Sequence, residues 1–177
     1  MMHIVPTLNF SGRCRDAIHL YEKAFGGKIT CLITYREADD PMYNPLLNED
    51  QRDWIYHAEL ALDDQRIIMC DNVTVPFKTS YATFLTVMCD EKEDVEKAYA
   101  IMKEGSRTIY PLIAVPYSSG RVVFVDRYGI RWGIMTERAR QLVVSAYFDT
   151  AELCEQNEER RFSKEASLGA SMALLGR

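Results

Sequence analysis

Leu8-Asn9-Phe10-Ser11-Gly12 and Leu85-Thr86-Val87-Met88-Cys89-Asp90 open two stretches of this chain that follow one plan. After the first, a helical pattern ends in Phe25-Gly26-Gly27, and an apolar run follows at residues 29–33. After the second, a helical pattern ends in Lys103-Glu104-Gly105, and an apolar run follows at residues 108–113. A repeat of this length predicts two copies of one supersecondary unit inside a single domain.

Working outward from the repeat, the apolar periodicity predicts the order βαβββ twice. Module 1 covers about residues 1–72 and module 2 about residues 82–136, and together they form an α+β domain at 1–136. Each module has one amphipathic helix, which covers one face of its small sheet, so the other face needs the partner module or a ligand. The predicted strands are 3–10, 28–35, 54–62, 66–71, 82–89, 107–115, 121–126 and 130–136, and the predicted helices are 14–25 and about 91–103.

Two segments do not fit the repeat. Residues 37–53 contain two prolines, many acidic residues and no period, which predicts a long loop: either a binding loop or a solvated excursion. Residues 137–177 are predicted to be a helical C-terminal extension that packs on its own domain or on a second subunit. Its apolar helical stripe consists of Leu142, Val143, Ala146, Tyr147, Ala151 and Cys154.

Composition excludes several classes of function. The net charge is −5 and no basic stripe is visible, which argues against nucleic-acid binding. No apolar run approaches the ~18 residues that a membrane span needs. The first predicted strand begins almost at once, without a signal-peptide pattern, and the five cysteines are odd in number with no CxxC pair. We therefore expect a cytoplasmic protein with reduced thiols.

Four stretches of sequence carry a resemblance to a known superfamily. Their order and spacing resemble the vicinal oxygen chelate superfamily, which includes glyoxalase I, bleomycin-resistance proteins and extradiol dioxygenases, and within it the PhnB-like branch. The stretches are residues 6–14 with Ala17, Ile18 and Tyr21; Phe25-Gly26-Gly27; Tyr56-His57-Ala58-Glu59-Leu60 with residues 67–71; and residues 125–134, which read Val-Asp-Arg-Tyr-Gly-Ile-Arg-Trp-Gly-Ile.

The resemblance implies a U-shaped mixed sheet around a cleft and a homodimer. Metal enzymes of this superfamily hold a divalent ion on the first and last strands of each module. Those positions fall near Val5, Ile68 or Met69, Thr83 and Gly133, and none of these is a carboxylate or an imidazole. We therefore predict no metal site and no cofactor. A two-residue shift in register would keep the same face and bring in His3, so a divalent metal is the alternative.

Strand alternation selects the candidate site residues, because residues i and i+2 share a face. His57 and Glu59 are predicted to face the cleft, with His57 as a base and Glu59 holding the imidazole. Arg131 is predicted to bind a carboxylate or phosphonate, and His3 to reach the cleft mouth. The alternatives are a polar pair at a sheet edge or subunit interface for His57 and Glu59, a rim ion pair for Arg131 and a solvated His3.

The sequence favours a small-molecule-binding protein that takes an anionic ligand in the inter-module cleft without the superfamily's metal. One alternative is a metal-dependent lyase or dioxygenase-type enzyme of the same superfamily. Another is a dimeric interaction module whose cleft is vestigial. Since the chain has no methyl-donor binding motif, methyl transfer is not predicted.

Overall fold

The computed structural model of the chain describes residues 4–74 and 82–136. His3 and the predicted extension at 137–177 lie outside these residues. Module 1 contains β1 (Thr7–Phe10), α1 (Cys14–Phe25), β2 (Lys28–Thr34), α2 (Tyr35–Ala38), β3 (Ile55–Leu62) and β4 (Gln65–Asp71). Module 2 contains β5 (Leu85–Cys89), α3 (Lys92–Met102), β6 (Arg107–Val115), β7 (Ser118–Val125) and β8 (Arg131–Thr136).

The two sheets have the same strand order, which confirms the predicted duplication. The first sheet runs β1-β4-β3-β2 and the second β5-β8-β7-β6. In each, the first and last strands of the module pair in parallel and the other pairs are antiparallel. Two four-stranded mixed sheets with few helices confirm the predicted α+β class of paired βαβββ modules.

One face of each sheet packs on the helices, and these inner faces form the core. Buried residues of β1, β3, β4, β7 and β8 join residues of α1 and α3 in one apolar cluster. Trp132 and Ile134, which alternate with Arg131 and Gly133 along β8, are fully buried there. We call the opposite side of each sheet, which faces away from the helices, its outer face.

A buried carboxylate joins the modules. Asp126, at the end of β7, accepts a hydrogen bond from the Tyr21 hydroxyl of α1 at 2.5 Å and from Trp132 Nε1 at 2.9 Å. The same carboxylate accepts the backbone N–H groups of Tyr128 and Ile130, both at 2.9 Å. Burial, reinforced by the neighbouring Asp126, raises the pKa of Tyr21 well above its ordinary value. Tyr21 therefore keeps its proton at the junction between the modules.

Several predicted boundaries were wrong by a few residues. Residues 4–6 and 82–84 lie outside β1 and β5, and β7 begins at Ser118 rather than Arg121. Tyr35 was predicted to end a strand, but it begins α2. There, Thr34 and Glu37 form a capping box, in which each side chain satisfies the other residue's backbone N–H.

The predicted loop at 37–53 is largely irregular and is tied to the domain by tyrosines. It holds the end of α2 and two short 3-10 turns, Asn44–Leu46 and Asp50–Asp53. The rings of Tyr35, Tyr43 and Tyr56 pack edge to face, with centres 5.3–5.9 Å apart. The Tyr35 hydroxyl also donates to the carbonyl of Asp71 at 2.8 Å.

Within the described residues, no helix combines the length and the apolar character that crossing a membrane would require.

Candidate functional site

The outer face of the first sheet carries a cluster of charged side chains. His57 Nε2 lies 3.2 Å from Glu59 Oε1, and Arg66 Nη1 lies 3.3 Å from Glu59 Oε2. The His57 and Glu59 side chains are partly exposed, at 34% and 22%. Strand register explains the cluster: Ala61 pairs with Arg66, so Arg66 sits diagonally across from Glu59 on the same face. We call His57, Glu59 and Arg66 the charged cluster.

The contact with Glu59 determines which ring nitrogen of His57 carries the hydrogen when the two side chains interact. An ionised Glu59 only accepts hydrogen bonds, so His57 Nε2 carries the hydrogen when the two interact. Nδ1 is then the ring nitrogen that accepts a proton. The predicted His57–Glu59 pairing is therefore present in the structure, while its use in binding or catalysis stays a prediction. Arg66 was not anticipated.

A cavity of about 830 Å³ adjoins the charged cluster and lies between the two modules. Glu59 and Arg66 contribute to its wall on the side of the first module, and Thr86 and Met88 on the side of the second. Its apolar lining comes from both modules: Phe25, Leu62, Ile67, Leu85, Val87 and Trp132. The Phe25 and Trp132 rings pack with their centres 5.1 Å apart, so the apolar lining is continuous across the module boundary.

The loop at 37–53 does not contribute to this cavity, since none of its residues lines it. Of its two predicted roles, a binding loop for this cavity therefore has no support. Its packing among Tyr35, Tyr43 and Tyr56 accounts for its position without a ligand.

The positions where the superfamily's enzymes hold a metal do not suit one here. Register pairs Thr7 with Ile68 and Thr86 with Gly133, so these two threonines, rather than Val5 and Thr83, flank the last strands. At Gly133 an added Cβ would lie 3.1 Å from the Phe84 ring, so an aromatic side chain occupies the space of a ligand there. Hydroxyl, alkyl and aromatic groups are poor ligands for a divalent ion compared with imidazole or carboxylate.

The rest of the described chain offers no other metal site. Across residues 4–74 and 82–136, no group of three or more His, Cys, Asp or Glu side chains is arranged to hold a metal ion. His57 and Glu59 form a pair whose third member is the cationic Arg66, which repels a metal. His3, the alternative ligand, lies outside the described residues.

Arg131 lies on the outer face of the second sheet, as β-strand alternation predicted. Its guanidinium carbon sits 4.7 Å from the centre of the Phe84 ring. On the same face, Arg121 of β7 lies near the Tyr110 and Tyr117 rings, 5.3 and 5.9 Å from their centres. Arg131 and the charged cluster thus belong to different sheets, and no residue of this Arg131–Phe84 contact lines the cavity.

The cysteines of the described chain are all free thiols. Burial raises the pKa of Cys14, Cys70 and Cys89, so these thiols hold their protons and are weak nucleophiles. Asp71 also raises the Cys14 pKa, because its carboxylate accepts the backbone N–H groups of Arg13 and Cys14 at the start of α1. These residues stabilise a helix end rather than form a site.

The paired modules and the sheet order are those of the glyoxalase, bleomycin-resistance and dioxygenase class of proteins. Within it, residues 2–135 match the family described as 3-demethylubiquinone-9 3-methyltransferase, so the chain belongs to this PhnB-like family. No curated protein matches the chain.

Solved structures agree with this assignment. Protein PA1353 from Pseudomonas aeruginosa is 26% identical with a TM-score of 0.68, covering 78% of this chain and all of that one. A putative 3-demethylubiquinone-9 3-methyltransferase, PhnB protein, from Bacillus cereus is 20% identical with a TM-score of 0.63, covering 76% and 99%. The fosfomycin resistance protein FosX from Listeria monocytogenes shares the fold at 9% identity and a TM-score of 0.52, covering 81% and 98%.

Proposed function

We propose that this protein binds a small organic molecule in the inter-module cavity, without a divalent metal. The observation that carries the proposal is the cavity of about 830 Å³, with an apolar lining from both modules and the Glu59–Arg66 pair in its wall. Small-molecule sites have such a volume and combine apolar surface with convergent polar groups. In this cavity, apolar and polar groups share the lining about equally. The ligand places its apolar body against Phe25 and Leu85 and a polar group against Glu59 and Arg66.

An anionic group on the ligand fits this arrangement through Arg66. Its guanidinium is about half exposed and contacts Glu59 at one end only, at 3.3–3.4 Å. A carboxylate or phosphonate would satisfy the guanidinium donors better than two long contacts through one nitrogen do. The family's description names a methyltransferase, but the proposal includes no methyl transfer.

A thermal-shift screen of small organic acids and their neutral analogues against the full chain, in chelator-treated buffer, tests this proposal. We expect stabilising compounds whose effect weakens at least tenfold in Arg66→Gln, because a charge-assisted hydrogen bond contributes about 1.5–3 kcal/mol. Arg15→Gln, an exposed residue of α1, is the matched control and should keep wild-type affinity. If no compound stabilises the protein without metal, and added metal restores binding, the proposal is wrong.

A second candidate is a metal-independent enzyme that abstracts a proton. The observation that favours it is the 3.2 Å contact between His57 Nε2 and Glu59. His57 does not line the cavity, so this candidate requires a substrate that extends past Glu59 to the imidazole. There His57 Nδ1 would accept the proton from an acidic C–H bond, and Glu59 would stabilise the imidazolium that forms. The electron pair of the broken bond stays on the substrate as an enolate or a comparable delocalised anion.

Exchange of substrate protons for deuterium separates this candidate from simple binding. The screened compounds that bind would be incubated with the protein in heavy water and followed by NMR. The enzyme candidate predicts exchange that His57→Ala abolishes and Glu59→Gln slows, with binding retained in both. If compounds bind but no exchange is catalysed, the binding role stands, and proton abstraction from those compounds is excluded.

The homodimer and the cytoplasmic location stay predictions. Light scattering during size-exclusion chromatography tests the first, since the monomer mass is 20.4 kDa and a dimer would give twice that value. The interaction-module alternative predicts that substitutions in the cavity leave the measured mass of the assembly unchanged.

A further inference from the structure

The wall of the inter-module cavity carries more negative than positive charge. Among the described residues, its charged side chains are the carboxylates of Glu59, Asp63 and Asp64 and the guanidinium of Arg66. Glu59 is already paired, because its carboxylate contacts both Arg66 and His57. The other two carboxylates are left over, in a chain whose net charge is −5. A ligand with only an acidic group would have to bind beside these negative charges.

The two remaining carboxylates lie at the turn of the β3–β4 hairpin. Leu62 pairs with Gln65, so Asp63 and Asp64 form the turn itself. Within residues 4–74 and 82–136, no lysine, arginine or histidine lies within salt-bridge distance of either side chain. Asp63 has a φ of 50°, a left-handed conformation that aspartate tolerates. Asparagine and glycine suit such a turn as well, so the turn does not require either charge.

The guanidinium of Arg66 leans away from these turn carboxylates. Glu59 lies farther from the turn than Arg66, because its partner on β4 is Ile68. Arg66 Nη1 reaches toward Glu59 and lies 3.3 Å from its Oε2. Positions 64 and 66 are two residues apart, which is about 7 Å along a strand. The lean of the guanidinium widens the gap to Asp64, so a polar head group can lie between a positive and a negative group of the wall.

The charged residues lie at the entrance of the cavity and the apolar ones further inside. Asp63, Asp64 and Arg66 are exposed. The apolar residues of the lining that come from both modules, such as Phe25 and Leu85, are half-buried. A ligand that matches this arrangement has an apolar body and a head group with charges of both signs.

We infer that the ligand of the cavity is an amino acid with an apolar side chain. Its ammonium group binds Asp63 and Asp64, its carboxylate binds Arg66, and its side chain enters between the modules. The assignment rests on the proposed function, because it names the class of ligand for the same cavity. A simple organic acid would leave the turn carboxylates unpaired. An amine without a carboxylate would leave Arg66 with only its long contacts to Glu59.

Isothermal titration calorimetry of the full chain in metal-free buffer tests the assignment with probes that differ in charge. At about pH 6 the amino groups of the probes are protonated. Phenylalanine and leucine carry both charges, hydrocinnamate and isocaproate lack the ammonium group, and phenylalaninamide and leucinamide lack the carboxylate. At least one of the two amino acids should bind about tenfold more tightly than both of its analogues, because each analogue loses a charge-assisted hydrogen bond.

Variants of the wall test which residue binds each charge. Asp63→Asn combined with Asp64→Asn should weaken amino-acid binding about tenfold and leave the acids without an ammonium group bound at least as well, because asparagine keeps the turn and removes the charge. Arg66→Gln should weaken binding of both kinds of acid but not of the amides. Asp90→Asn combined with Glu104→Gln is the matched control: it removes two exposed carboxylates outside the cavity and should leave every affinity unchanged.

Failure of this assignment and failure of the proposed function give different results. If hydrocinnamate and isocaproate bind as tightly as the amino acids, the assignment is wrong and the proposed function stands. Wild-type affinity for the amino acids in the double aspartate variant would lead to the same conclusion. If none of the six probes binds, the assignment is also wrong, and the thermal-shift screen of organic acids then decides the proposed function separately.

Discussion

At the scale of single residues, Asp126 links the two modules through hydrogen bonds. Its carboxylate accepts four hydrogen bonds, from Tyr21, Trp132 and two backbone N–H groups, and it is almost completely buried. The sequence predicted Asp126 as the last residue of a strand, but it could not show that a helix from the other module supplies one of the donors. That contact joins residues 105 positions apart.

Asp126→Asn should lower the free energy of unfolding by about 2–3 kcal/mol, because an amide turns an N–H group toward donors that the carboxylate had satisfied. Urea unfolding followed by tryptophan fluorescence measures the change. Asp64→Asn, at an exposed turn, is the matched control and should change stability by less than about 0.5 kcal/mol. Equal stability of the two variants would contradict the role of Asp126.

The raised pKa of Tyr21 predicts that the stability of the fold depends on pH. Burial and Asp126 raise its folded-state pKa well above 10, whereas an unfolded tyrosine titrates near 10. The folded protein then keeps a proton that the unfolded chain releases, so stability that is complete below pH 10 is lost as the pH rises above it. Between pH 9 and pH 11, unfolding free energy should fall less steeply in Tyr21→Phe than in wild type. Tyr117→Phe, at an exposed tyrosine, should keep the wild-type slope.

At the scale of elements, the two glycines at the end of α1 differ in what a side chain would cost. At Gly26 the cost is backbone strain, and at Gly27 it is crowding. Gly26 ends the helix in the left-handed conformation, with φ of 68°, and an added Cβ there would meet nothing within 4 Å. At Gly27 an added Cβ would lie 2.6 Å from Leu62 and 2.7 Å from the Ala61 carbonyl oxygen. The pair Gly26-Gly27 was recognised in the sequence as a helix stop, and Gly26 confirms it. The crowding at Gly27 depends on β3 and was not predictable.

Gly26→Ala should therefore cost about 1 kcal/mol through its backbone conformation alone. Gly27→Ala should cost more, about 1–3 kcal/mol, because β3 has to move to admit the methyl group. Thermal unfolding of both variants and of Gly26→Asn, which tolerates the left-handed conformation, measures the difference. A larger loss in Gly26→Ala than in Gly27→Ala would contradict this account.

The elements that sequence patterns predicted well share a physical reason. Amphipathic helices and alternating strands carry a local signal, so α1, α3 and all eight strands were found within a few residues. The capping box at Thr34 and Glu37 was also visible in the sequence and would have ended β2 correctly. To predict that Arg66 belongs to the charged cluster, one needs the register of the β3–β4 hairpin, since only that register places it beside Glu59.

At the scale of the whole molecule, the duplication explains where the candidate sites lie. Both helices cover the inner faces, so the outer faces and the module boundary are the places where side chains remain available. The internal repeat and the family motifs predicted this plan. They could not supply the cavity lining, because Phe25 and Trp132 meet only when the two modules pack.

The proposed function requires that a small molecule bind between the modules. Crystals of the full chain soaked with a set of small carboxylate fragments, in metal-free buffer, test it most directly. Fragment density should lie in the inter-module cavity, against Phe25 and Leu85, with a polar group toward Glu59 and Arg66. An empty cavity with fragments bound only elsewhere, or a metal ion bound between the modules on side chains of both, would contradict it.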